Sequence, residues 1–145
     1  MNTSDNPIIK ILAGNTNVYL IKNSSSSVII DAGDKGSNRN ILRALERYEL
    51  KPQDVRLIVL THTHYDHAGN LKALKDLTGA QVLAHRNEVE NLSSGFTPFP
   101  KGTKMFSKLL VYLGSRLMKK MARYEPVTPD IVVDDQYDLS QHGVP

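Results

Sequence analysis

Three histidines and an aspartate within six residues constrain this chain more than any other feature of it. The stretch THTHYDHAGN follows directly on the apolar run VRLIVL, and it holds His62, His64, Asp66 and His67, taking three of the five histidines in 145 residues. The apolar run reads as a strand buried on both faces. A loop that leaves the C-terminal end of such a strand and enters a helix is where ligands and catalytic groups collect in open α/β sheets. In extended backbone the side chains at i and i+2 project to the same side, so His62 and His64 are expected to converge. Asp66 and His67 fall where the chain turns into the helix and approach from another direction. Imidazole nitrogen with carboxylate oxygen suits zinc or another borderline divalent ion, at about 2.0–2.2 Å. A single histidine would be explained by a hydrogen bond to a loop carbonyl, and an acid–base pair would leave two donors without a role. Three histidines with a carboxylate point to a metal site.

The surrounding sequence places that loop in an alternating pattern. PIIKILAG and NVYLIKN read as two strands that turn at Gly14 and Asn15, and SSVIIDAG as a third. Ser37 is positioned to cap a helix from Asn38 to Leu50, with Ile41, Leu42, Leu45 and Tyr48 on one face, and Pro52 closes it. After the histidines, Leu71, Leu74 and Leu77 mark a short helix that Gly79 terminates. AQVLAH is another strand, followed by a weak helix around Arg86 to Leu92, and SSGFTPFPKGT is a loop by its Gly and Pro content. An amphipathic helix fits Lys104 to Arg123, with Phe106, Leu109, Leu110, Leu113, Leu117 and Met121 on one side. DIVVDDQYDL reads as a hairpin turning at Asp134 and Asp135. Strands alternating with helices predict one α/β domain over residues 1–145, built on a mixed sheet.

His62-Thr63-His64-Tyr65-Asp66-His67 resembles the His-x-His-x-Asp-His signature of the metallo-β-lactamase superfamily, and VIIDAGD resembles that family's first aspartate strand. The resemblance runs from about Ile8 to the end. It implies an αββα sandwich, of which this chain would be the N-terminal half: a mixed sheet with helices on its outer face. It implies that His62 and His64 bind one metal and Asp66 and His67 a second, that Asp66 also serves in catalysis, and that Asp31 orients the metal loop from behind. The implied chemistry is zinc-dependent hydrolysis, in which metal-bound hydroxide attacks an ester, thioester, lactone or amide carbonyl. Family members go on to a Gly-His turn, a bridging aspartate and a final histidine, whereas this sequence reaches SQHGVP without them. The expectation is therefore a C-terminally truncated domain that holds at most one zinc, weakly. The alternative is a non-catalytic metal-binding or interaction module that retains the fold.

Other residues carry weaker signals. His85 reads as a strand-end residue, His142 as an exposed tail residue, Thr61 as locally hydrogen-bonded and Tyr65 as facing solvent or substrate. The absence of cysteine excludes a disulfide and a thiolate zinc site. The N-terminus has no apolar leader core and no run approaches a membrane span, so a cytoplasmic location is expected. A net charge of +3 is too small to point to nucleic acid. The charge is uneven, however: between Glu90 and Glu125 there is no acidic residue but seven lysines and arginines. That basic helix reads first as a solvated face, then as an attractor for a small anionic substrate, and last as a surface for membrane or nucleic acid. Without a second sheet, one face of the predicted sheet would be an apolar patch, and a homodimer covering the missing half is the expected remedy.

Overall fold

The computed structural model describes residues 8–23, 26–98 and 123–144. Six strands form one sheet in the order of the sequence: β1 (Ile8–Ala13), β2 (Thr16–Lys22), β3 (Ser27–Ile30), β4 (Val55–Val59), β5 (Gln81–His85) and β6 (Ile131–Val133). The first three are antiparallel neighbours, and β3 through β6 run parallel. Helices α1 (Asn38–Arg47), α2 (Tyr65–Ala68), α3 (Leu71–Thr78) and α4 (Val89–Ser94) lie in the connections. The result is the mixed α/β sheet that the alternating pattern predicts.

Burial explains why each strand reads as it does. β1 alternates exposed and buried residues, as a strand covered on one face does, whereas Ser27, Val28 and Ile29 of β3 are all buried. Among the described residues, α1 to α4 pack on one face of the sheet. Ile41, Leu45, Leu71, Leu74 and Leu92 join Ile11, Val18, Leu20, Ile29, Ile58 and Val82 in the main core. On the other face, Val28, Leu57 and Leu83 form a second buried cluster, against which Tyr137, Leu139 and Val144 pack.

Ser37 precedes α1 as expected but does not cap it, its hydroxyl turning to Ala32 O at 3.5 Å, and the C-terminal residues also differ from the sequence expectation. Residues 130–139 do not make a hairpin. Ile131–Val133 is the last parallel strand, beside β5, and the chain then crosses the sheet to a 3-10 turn at Ser140–His142. Asp134 is engaged by Arg86 in place of a turn. His142 is half-buried, and its carbonyl accepts from Asn23 Nδ2 and Ser26 Oγ, both at 2.9 Å. The helix expected over Lys104 to Arg123 lies outside the described residues, apart from Arg123, which bridges to Phe96.

The topology gathers functional groups at one edge. Asp31 follows β3, Thr61 to His67 follow β4, and His85 to Glu88 follow β5, so all emerge at the C-terminal ends of adjacent parallel strands. No helix among the described residues is long and apolar enough to cross a membrane.

Candidate functional site

The loop after β4 is held by the loop after β3. Asp31 N–H donates to Val59 O at 2.8 Å, and Ala32 N–H donates to His67 O at 2.8 Å. Asn70 N–H donates to Gly33 O at 3.1 Å. These main-chain bonds fix the entry and exit of the histidine segment relative to the sheet. Asp66 and His67 lie on α2, whose one turn begins when His64 O accepts from the amides of His67 and Ala68.

His62, His64 and His67 come together. The His62 ring centroid is 4.7 Å from that of His64 and 4.1 Å from that of His67. Asp66 Oδ2 stands 3.6 Å from His67 Nε2. Burial in the first place, then the neighbouring His67 and His64, hold the His62 imidazole below its ordinary pKa, so that ring resists protonation. As the side chains stand, no group of three or more His, Asp or Glu among the described residues is disposed to hold one metal ion. The rings lean on one another, edge to face for His62 and His64 at 82°, in place of sharing a common point.

Asp31, only 4% exposed, organises the proton positions. His67 Nδ1 lies 2.8 Å from Asp31 Oδ2. Thr61 donates to the same carboxylate from its amide and from its hydroxyl, each at 2.9 Å. Thr61 is therefore tied across thirty residues as well as locally, where the sequence suggests only a local bond. Its hydroxyl has one proton, and with that proton on Asp31 the Thr61 oxygen must accept from His62 Nδ1, 3.0 Å away. Asp31 thus fixes the tautomer of His67 directly and that of His62 through Thr61. In both rings Nδ1 then carries the proton; the Nε2 lone pair of His62 is left available, and that of His67 meets a donor. Thr16 Oγ1 sits 3.2 Å from His67 Nε2 and donates to it.

Other residues were illegible in the sequence. Thr63, fully buried between the two histidines, donates from its amide to Glu88 Oε2 at 3.1 Å and also from its hydroxyl. Thr97 donates to the Thr63 carbonyl and lies 2.9 Å from the hydroxyl of Tyr124. Burial holds that phenol above its ordinary pKa. No local pattern marks Glu88, Thr97 or Thr16, because their contacts span 25, 34 and 51 residues. His85 is a strand-end group as expected: its Nδ1 accepts from Asn87 N–H and its Nε2 donates to Asp134 O. Tyr65 is 41% exposed beside the cluster.

Comparison with known proteins places this geometry in a family. The profile of the metallo-beta-lactamase superfamily matches residues 11–144. A hydroxyacylglutathione hydrolase of Pseudomonas aeruginosa is 36% identical over 75 residues, 49% of this chain and 26% of that protein. The probable metallo-hydrolase YqjP of Bacillus subtilis is 32% identical over 120 residues, 79% of this chain and 37% of that protein. Among solved structures, a HARLDQ-motif mutant metallo-beta-lactamase from Cronobacter sakazakii superposes with a TM-score of 0.69 at 26% identity, over 90% of this chain and 45% of its own. BJP-1, a subclass B3 metallo-beta-lactamase of Bradyrhizobium japonicum, superposes with a TM-score of 0.68 at 26% identity, over 96% of this chain and 47% of its own. The chain spans less than half the length of each of these relatives. With the profile covering nearly all of its residues, the chain belongs to the metallo-beta-lactamase superfamily.

Proposed function

We propose that this chain supplies the His62, His64, Asp66 and His67 portion of a zinc-dependent hydrolase site that acts on an ester, thioester, lactone or amide of a small, anionic molecule. The observation that carries the reading is the hydrogen-bond set behind the rings: Asp31 engages Nδ1 of His67 and, through Thr61, Nδ1 of His62, which leaves Nε2 of each ring as the metal-facing donor once His67 gives up the Thr16 hydroxyl. That donor chemistry fits zinc, which takes neutral imidazole and carboxylate ligands. His62 and His64 would hold one ion and Asp66 and His67 another, with Asp31 as the group that orients His67 from behind. The side chains must turn from their present contacts to do so.

When bound, zinc lowers the pKa of a water to about 7 and polarises a carbonyl oxygen. The chain's own residues do the rest. Asp66, partly exposed at the edge of the cluster, is placed to take a proton from an attacking water. The names of the hydrolase relatives support hydrolysis as the reaction class, and hydroxyacylglutathione, an anionic conjugate, illustrates the substrate class.

Turnover is expected to require zinc. The test is hydrolysis of an acyl thioester and an aryl ester by zinc-loaded protein, with and without chelator, alongside Asp66→Ala. Turnover that survives the chelator, or that Asp66→Ala leaves unchanged, contradicts the reading. A second reading, a metal-binding or interaction module without catalysis, is favoured by the absence of a ready three-donor group among the described residues. It predicts zinc binding with no turnover at all.

A further inference from the structure

Glu88 begins α4 but does not cap it: no side-chain hydrogen bond to that helix is made. A carboxylate at a helix start ordinarily serves the free amides there. Instead, Oε2 of Glu88 reaches across to the loop after β4 and accepts from both the amide and the hydroxyl of Thr63. From the other side, Thr97 donates to the carbonyl of Thr63. The two main-chain groups belong to different peptides. The Thr63 N–H is part of the peptide from His62, and the Thr63 carbonyl is part of the peptide to His64. Both peptides between the two histidines are therefore gripped, by side chains from separate segments. Thr63 itself is fully buried, so water does not replace either bond.

Rotation of these two peptides is what sets the angle between the Cα–Cβ directions of His62 and His64. We propose that Glu88, with Thr97, positions the histidine pair for metal: the grip on Thr63 fixes the spacing at which the two rings are presented. The inference rests on the proposed metal-binding role of those histidines. Glu88 touches neither the ion nor the substrate, and it acts only through Thr63. The conjunction is specific, because a carboxylate that only braced the loop would not need a second residue to hold the opposite peptide. The grip also links the site to Tyr124, whose hydroxyl lies 2.9 Å from that of Thr97.

The test compares the unmodified chain with Glu88→Ala, Glu88→Gln and Thr97→Val. Zinc affinity is measured by competition with a chromophoric chelator, the ligand field by cobalt substitution, and exchange of the Thr63 amide by NMR in metal-free protein. Glu88→Ala is expected to weaken zinc binding by about 10- to 100-fold, to alter the cobalt spectrum, and to speed Thr63 exchange about tenfold or more. Glu88→Gln, whose amide oxygen still accepts, should restore affinity close to the unmodified value, and Thr97→Val, which frees the Thr63 carbonyl and loses the contacts with the Thr63 and Tyr124 hydroxyls but leaves the amide held by Glu88, should cost less than Glu88→Ala. A brace with no bearing on metal would lower the melting temperature while leaving affinity and spectrum unchanged, and that result overturns the proposal. Unaltered Thr63 exchange overturns it as well. If the unmodified chain binds no zinc, the metal reading fails separately, and exchange at Thr63 still decides whether the grip exists. Should Glu88→Ala not fold, Glu88→Gln and Thr97→Val carry the comparison.

Discussion

Asp31 meets two demands that few residues can meet together. Its backbone lies at φ 65°, in the left-handed region that costs a side-chain-bearing residue roughly 1–2 kcal/mol, least for Asn and Asp. Its carboxylate is the shared acceptor for Thr61 and His67. Glycine would relieve the backbone but forfeit the acceptor. Asp31→Gly is therefore expected to destabilise the chain by about 2 kcal/mol through orphaned donors, and Asp31→Ala by about 1 kcal/mol more through strain. Denaturant unfolding measures both, and equal stability of the three proteins would contradict the role. His62 gives a pH prediction. Its folded pKa is depressed below the ordinary value of 6.5, by burial first and by His67 and His64 next. Neutral His62 thus favours the folded state, a contribution complete above the unfolded pKa and lost as pH falls through the folded one. Metal-free protein should lose stability on acidification below about pH 6.5, with an NMR titration midpoint for His62 under that value; a midpoint above it would contradict the burial argument. At this scale the sequence revealed the donors, because their spacing is local. The residues that orient or grip them are separated by 25 to 36 positions, which no periodicity records.

At the scale of elements, strand and helix were legible where burial has a period. β1 alternates, α1 buries one stripe, and Gly79 ends α3 at φ 70° as a C-terminal glycine does. The last strand was not legible as a parallel one. IVV followed by two aspartates suits a hairpin equally well, and only pairing of Ala84 with Val132 decides the matter. The motif helix α2 depends on its exit. Gly69 sits so close to the loop after β3 that a Cβ there would lie 2.8 Å from Lys35 N and 3.3 Å from the carbonyl carbon of Asp34. Gly69→Ala must push those two loops apart and is expected to cost about 1–3 kcal/mol, read as a lower denaturation midpoint. An unchanged midpoint would mean that the two loops are not held in register at this point.

At the scale of the molecule, the face of the sheet opposite the helices decides behaviour in solution. Its centre is covered by residues 137–144, which the sequence did not foretell because their apolar residues are sparse. At the β1–β2 end the same face leaves Ile8 68%, Leu12 63% and Tyr19 38% exposed, with Lys10 directly opposite Tyr19. A second copy of the chain is expected to cover that end. Light scattering should give twice the chain mass, falling to one chain mass for Leu12→Lys, and a single-chain mass for the unmodified protein would contradict it. The central claim is that the histidine loop holds a metal, and calorimetric titration of zinc into metal-free protein tests it most directly. The account predicts binding accompanied by a rise in melting temperature, both abolished when His62 and His64 are replaced together by alanine. Zinc binding of undiminished affinity in that double variant would contradict it.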